Sequence, residues 1–221
     1  MAKNLVIVFV KEPKKGFVKT RLAKTIGEDI TLDIYKLFVK DIIDNLKTNC
    51  FDFKLCAYPT LDLVNRSFGD FDNFLQVDGD LGAKMSSAFE KQFDKGYEKI
   101  VLIGSDTPHI PKEYYDEAFT SLDINDIVLG PSLDGGYYLI AFNKSTFYKG
   151  VFEDITWSTD KVFDQTLQRL HKRRVYLLKE LNDIDDMDDL KNFFERYKES
   201  YFKDSLTMEF LKGDQSWKNM M

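Results

Sequence analysis

The sequence predicts an α/β fold in which a mainly parallel sheet carries helices on both faces. Three observations predict it. Short apolar runs alternate along the chain with segments of helical spacing. The runs at 5–10 and 99–104 (KIVLIG) are strongly apolar, as strands covered on both faces are. The 221 residues, 43% of them apolar, suit one domain with a sizeable core.

The elements follow in order. Strand 5–10 empties into the polar stretch KEPKKGFVKTRL. Over 30–46 the residues Ile30, Ile34, Leu37, Phe38, Ile42 and Leu46 recur at helical spacing. A second strand, 53–58, is ended by Pro59, and a short helix over 61–68 and a weaker strand over 73–77 come next. The helix 82–93 places Met85, Ala88, Phe89 and Phe93 on one face. After strand 99–104, Pro111 opens a helix to about residue 121, since proline suits a first turn. Strands at 127–129 and 136–142 flank PSLDGG. Ser158 caps a helix to about 170, with Asp160 in its first turn. Strand 175–178 and helix 187–201 complete the order. No repeat or linker marks a second domain. Residues 1–205 are expected to form the domain, and 206–221, without clear periodicity, a C-terminal tail.

Composition narrows the function. The net charge is −6, and no basic stripe survives outside the first loop and 171–174, so a nucleic-acid partner is not expected. Two cysteines, Cys50 and Cys56, make neither a zinc site nor a disulfide framework. With only His109 and His171, a histidine-rich metal site is excluded, and oxygen-ligated hard cations remain. No apolar run reaches the length of a membrane span. The start of the chain lacks the features of a signal peptide, so a cytoplasmic, soluble protein is expected.

In open parallel sheets ligands sit beyond the carboxyl ends of strands. Three strands here end in polar loops. The first loop places five cations against the acidic trend of the chain. It is neither a Walker motif nor the dinucleotide fingerprint. Gly16 admits a ligand near the backbone, and Lys11, Lys19 and Arg21 can surround a diphosphate or triphosphate, Arg21 bidentately. Lys14 and Lys15 read as solvated charge. Strand 99–104 ends in Ser105-Asp106-Thr107-Pro108. Asp106 lies too far upstream to cap the helix at Pro111 and is placed to bind Mg²⁺ or Mn²⁺ that also holds phosphate oxygens, with Ser105 beside it in the donor or acceptor pocket. Strand 175–178 leads to Asp183-Ile184-Asp185, two carboxylates that an extended segment turns the same way. Asp186, Asp188 and Asp189 read as charge at a helix start. Asp134-Gly135-Gly136 is either a hairpin turn or a close approach to substrate. Asp80–Met85 reads as a helix entry whose Lys84 can reach a phosphate. Trp157 either walls a sugar or base or anchors the core.

In order, KEPKKGFVKTRL, DLGAKM, GSDTPHIP, PSLDGGYYLIAF, ITWSTDKVF and DIDDMDDL cover most of the chain. This ordered set resembles the glycosyltransferase A-like superfamily of nucleotide-diphospho-sugar transferases. More closely, it resembles a bacterial and archaeal family of proposed glycosyltransferases long filed as a domain of unknown function. It is also similar to the guanylyltransferases of molybdenum-cofactor and phospholactate metabolism. The resemblance implies a Rossmann-like three-layer α/β/α sandwich. It implies nucleotide phosphates at Gly16, Lys19 and Arg21, a metal at Asp106 completed by Asp183 and Asp185, and a donor or acceptor bordered by Asp134 and Gly135. Lys84 departs from the family pattern DLG-x-R-M, where arginine is expected.

The chain thus reads as a transferase using Mg²⁺ or Mn²⁺ and a nucleotide-activated donor. The favoured reaction moves a sugar from a nucleotide diphosphate to an unknown small-molecule acceptor, with Asp134 as a guess for the base. The first alternative is nucleotidyl transfer from an NTP to a phosphorylated acceptor with release of pyrophosphate. The second is a non-catalytic nucleotide-binding protein, against which Asp106, Asp183 and Asp185 argue.

Overall fold

Leu5, Val6, Ile7 and Val8 are completely buried, which makes β1 (Asn4–Lys11) an interior strand. The computed structural model describes residues 3–213 and Trp217. Beside β1 lie β2 (Asp52–Tyr58) and β4 (Lys99–Ile103), both parallel to it. With β3 (Phe74–Leu75), β5 (Ile127–Pro131), β6 (Tyr137–Asn143) and β7 (Val175–Leu177), the sheet has the order β3-β2-β1-β4-β6-β5-β7. Among these strands β6 runs against its neighbours β4 and β5, and the rest of the pairs are parallel.

The period-two alternation of β1 divides the core. Val6, Val8 and Val10 face α2 (Glu28–Lys47), α3 (Asp62–Phe68) and α5 (Lys112–Ser121). Leu5 and Ile7 face α4 (Leu81–Asp94), with α6 (Val162–Arg169) on the same side. The three layers are those expected. A third cluster packs the outer side of α2, through Ile34 and Phe38, against α1 (Thr20–Ile26), α7 (Met187–Tyr197) and α8 (Leu206–Gly213). No described helix is long and apolar enough to cross a membrane.

Several boundaries differ from expectation. Helix α1 was not foreseen. Its first cap, Lys19, has left-handed backbone (φ 46°) and offers no side-chain cap. Ser158 does not start α6. Its φ is 63°, and the helix begins at Val162, so residues 153–161 form an irregular strap and Asp160 lies outside the helix. Helix α7 ends at Tyr197, short of residue 201. Part of the expected tail is the helix α8, whose Met208 and Leu211 are fully buried. Residues 214–216 and 218–221 of that stretch lie outside the described residues.

Because β1, β4, β5 and β7 run the same way, the loops after them gather at one edge of the sheet, together with the β5–β6 hairpin.

Candidate active site

A cavity of about 890 Å³ opens at that edge. Its floor is fixed by buried groups. The Tyr35 hydroxyl accepts from the Lys11 N–H (2.8 Å) and donates to the Lys11 carbonyl (2.9 Å), fastening the end of β1 to α2. Ile184 is fully buried and its N–H donates to the Asp106 carbonyl (3.0 Å). That bond lays the Asp183–Asp185 segment across the end of β4. The remaining acids at this point have local duties. Asp186 caps α7 through the N–H groups of Asp188 and Asp189, and the Asp189 carboxylate accepts from the N–H groups of Asp185 and Asp186.

Lys19 is the centre of the arrangement. Its left-handed backbone sends the side chain inward, where the ammonium lies 2.6 Å from Asp106 Oδ1 and 3.1 Å from Asp185 Oδ1. Arg21 holds the other oxygen of Asp185 at 2.5 Å from the mouth. Burial opposes the Lys19 charge, but Asp106 and Asp185 outweigh it and raise the pKa above that of an ordinary lysine. Burial likewise pushes Asp185 up, and Lys19, Arg21 and Lys11 together hold it below its usual value. Asp183 goes the other way. Burial, reinforced by the charge of Asp106, pushes its carboxyl up to about 7, although the Thr107 hydroxyl donates to it.

Most of the residues expected at the site line this cavity: Lys11, Lys19, Arg21, Lys84, Ser105, Asp106, Asp134, Gly136, Trp157, Asp183 and Asp185. Lys84 lies over the Tyr58 ring, 3.9 Å from its centroid. Gly16 and Gly135 are not in the lining. Gly16 supplies a turn (φ 71°), and a Cβ there would meet Glu28. Gly135 (φ 86°) admits the chain's own backbone, since a Cβ would sit 2.2 Å from the Asp160 carbonyl oxygen. The hairpin reading holds: Asp134-Gly135 makes the β5–β6 turn, with Asp134 in the cavity lining. Tyr58, Gln76 and the strap residues Ser158, Thr159 and Asp160 also line it. The irregular backbone of the strap is not legible in the sequence, because Ser158 and Asp160 fit an ordinary helix start.

Among the described residues no group of three or more His, Cys, Asp or Glu side chains forms a metal cage by itself. Asp106 and Asp185 instead share the Lys19 ammonium. The donor chemistry nonetheless fits Mg²⁺ or Mn²⁺. The lining offers oxygen donors, carboxylates foremost, and no His or Cys among the described residues, and such ions are held by one or two carboxylates together with substrate phosphates.

The family profile "Uncharacterized protein conserved in bacteria (DUF2064)" matches residues 43–159, from within α2 to the strap. A proposed nucleotide-diphospho-sugar transferase from Desulfovibrio desulfuricans G20 superposes with a TM-score of 0.93 at 33% identity, over 99% of this chain and 98% of that one. Rv0371c from Mycobacterium tuberculosis H37Rv, in a complex with manganese, gives 0.56 at 15% identity over 88% and 99% of the two chains. A cytidylyltransferase from Leptospira borgpetersenii serovar Hardjo-bovis gives 0.57 at 14% identity over 98% and 97%. The last two share the fold alone. No curated protein matches the chain.

Proposed function

The chain belongs to the DUF2064 family and has the nucleotide-diphospho-sugar transferase fold, and we propose that it moves a sugar from a nucleotide diphosphate to a small-molecule acceptor. One observation carries this reading: cations from β1, α1 and α4 and carboxylates from the loops after β4 and β7 meet in one cavity. Lys11, Arg21 and Lys84 bind the diphosphate, where charge develops as the donor breaks. Asp106 with Asp183 or Asp185 would hold Mg²⁺ or Mn²⁺, which would supply further positive charge for that leaving group. Lys19 holds Asp106 and Asp185 in place. Asp134 takes the proton of the acceptor. The manganese complex of Rv0371c, a protein of the same fold, is consistent with a divalent ion.

Nucleotidyl transfer is the second reading, favoured by the fold shared with a cytidylyltransferase. A thermal-shift panel of NTPs and nucleotide sugars, with and without Mn²⁺, separates the two. Glycosyl transfer predicts that a nucleotide sugar gives the larger metal-dependent shift and that metal and nucleotide raise each other's affinity equally. NTP preference with pyrophosphate release would establish the second reading. No metal-dependent shift with any nucleotide would remove both and leave a non-catalytic nucleotide-binding protein.

A further inference from the structure

The charges that line the cavity divide by chain segment. The lining cations are Lys11, Lys19, Arg21 and Lys84, and all come from β1, the loop after it, α1 or α4. The β5–β6 hairpin and the strap contribute none. They bring Asp134, Asp160, the hydroxyls of Ser158 and Thr159, and the Trp157 ring. These two segments interlock: the missing side chain of Gly135 lets the Asp160 backbone close in, and just beyond the strap the Phe163 N–H of α6 donates to the Gly135 carbonyl at 2.8 Å. A second glycine, Gly82, leaves room for the indole, since a Cβ there would fall 2.9 Å from Trp157 Cζ2. The indole Nε1 is buried without a hydrogen-bond partner among the described residues.

We propose that this end of the cavity is a subsite for a neutral, polyhydroxylated molecule, an unphosphorylated saccharide or polyol. The proposal rests on the glycosyl-transfer reading and names the acceptor class for it. Carboxylates accept hydrogen bonds from hydroxyls, and an aromatic face packs against the C–H face of a sugar ring. A phosphate there would be opposed by Asp134 and Asp160, the charged groups that these two segments bring to the lining. In the transfer, the acceptor oxygen bonds to the anomeric carbon. The bond from that carbon to the diphosphate oxygen breaks, and its electron pair leaves with the nucleoside diphosphate. The hydroxyl proton passes to the Asp134 carboxylate.

Trp157 provides the test. The chain has two tryptophans, so its indole N–H resonance is assigned by comparison with Trp157→Phe. The full-length protein is titrated with glycerol and neutral hexoses, and in parallel with glycerol phosphate, hexose 6-phosphates and inorganic phosphate at matched ionic strength. Neutral probes should move the Trp157 resonance saturably, with the phosphorylated ones at least about tenfold weaker. In Asp160→Lys that preference should narrow or reverse, whereas in Asp160→Asn it should only weaken. A phosphorylated probe that saturates at lower concentration than its neutral counterpart overturns the proposal, and so does a resonance that no probe moves. The probes carry no nucleotide, so the result stands apart from whether a nucleotide sugar binds.

Discussion

Two buried ionisable groups, Lys19 against Asp106 of the loop after β4 and His109 within that loop, solve the same problem in opposite ways. The Lys19 side chain is 3% exposed and keeps its charge between Asp106 and Asp185. His109 is equally buried, but its neighbours are rings: Tyr197 at 4.5 Å, Phe193 at 5.2 Å and Phe202 at 6.4 Å between centroids. Neither ring nitrogen has a hydrogen-bond partner among the described residues. Burial, helped by the nearby charge of Arg196, lowers its pKa to about 3. The cavity floor thus keeps a charge because partners offset its desolvation, while the aromatic cluster sheds one because none does. The first arrangement lines the cavity, and the second packs α7 onto the loop that carries Asp106.

The largest expected effect comes from removing the offset. In Lys19→Met, Asp106 and Asp185 would face each other with Arg21 and the more distant charge of Lys11 to compensate. Breaking a buried pair on one side costs about 3–5 kcal/mol, and the partial exposure of Asp106 places this case near about 3. Urea unfolding with an unchanged m-value measures it. A loss below about 1 kcal/mol would mean that Lys19 is not what holds the two carboxylates together.

The His109 half of the comparison is read through pH. An unfolded chain takes up a proton at His109 below about 6.5, whereas the native protein refuses it until about 3. Stability from this group therefore falls as pH falls through that window, by about 1.4 kcal/mol per unit, or about 2 kcal/mol at pH 5. Asp183, raised to about 7, has the opposite sign: the native protein keeps a proton that the unfolded chain has lost, so its contribution falls as pH rises from about 4 to 7. The two slopes offset each other in the wild type. The difference between wild type and His109→Phe isolates the histidine, and a difference independent of pH would show that His109 is protonated in the native state. Lys19, raised above its ordinary value, loses its contribution only as pH climbs through that raised pKa, far above this window.

This contrast also shows what a sequence can reveal. The interior strands were legible because burial on both faces leaves an apolar run, as in Leu5–Val8 and KIVLIG. The cavity's position followed from strand direction. What could not be read were pairings made only by the fold. Lys19 reads as a phosphate ligand, and its ammonium is instead shared by carboxylates 87 and 166 positions away. Helix α1 is seven residues long and starts from a left-handed lysine, so it carries no cap signature. Ser158 has the side chain of a cap but not the backbone of one. Asp160 was hidden by that same error, and α8 by the shortness of its apolar pattern.

Arg21 sharpens the comparison at its weak end. It holds the same carboxylate as Lys19, yet its side chain is 67% exposed. An ion pair in water gains little, because solvent screens it and two side chains must be ordered, so such pairs contribute about 0–1 kcal/mol. Arg21→Ala should therefore leave unfolding nearly unchanged while Lys19→Met does not. If Arg21 binds the donor diphosphate, the same variant should weaken nucleotide affinity by about 1.5–3 kcal/mol, the range of a charge-assisted contact. Calorimetry with the nucleotide that the thermal-shift panel selects measures this. Loss of affinity without loss of stability assigns Arg21 to the ligand. Equal nucleotide affinity in wild type and variant would remove it from the phosphate site, and its contact with Asp185 would then be the extent of its role.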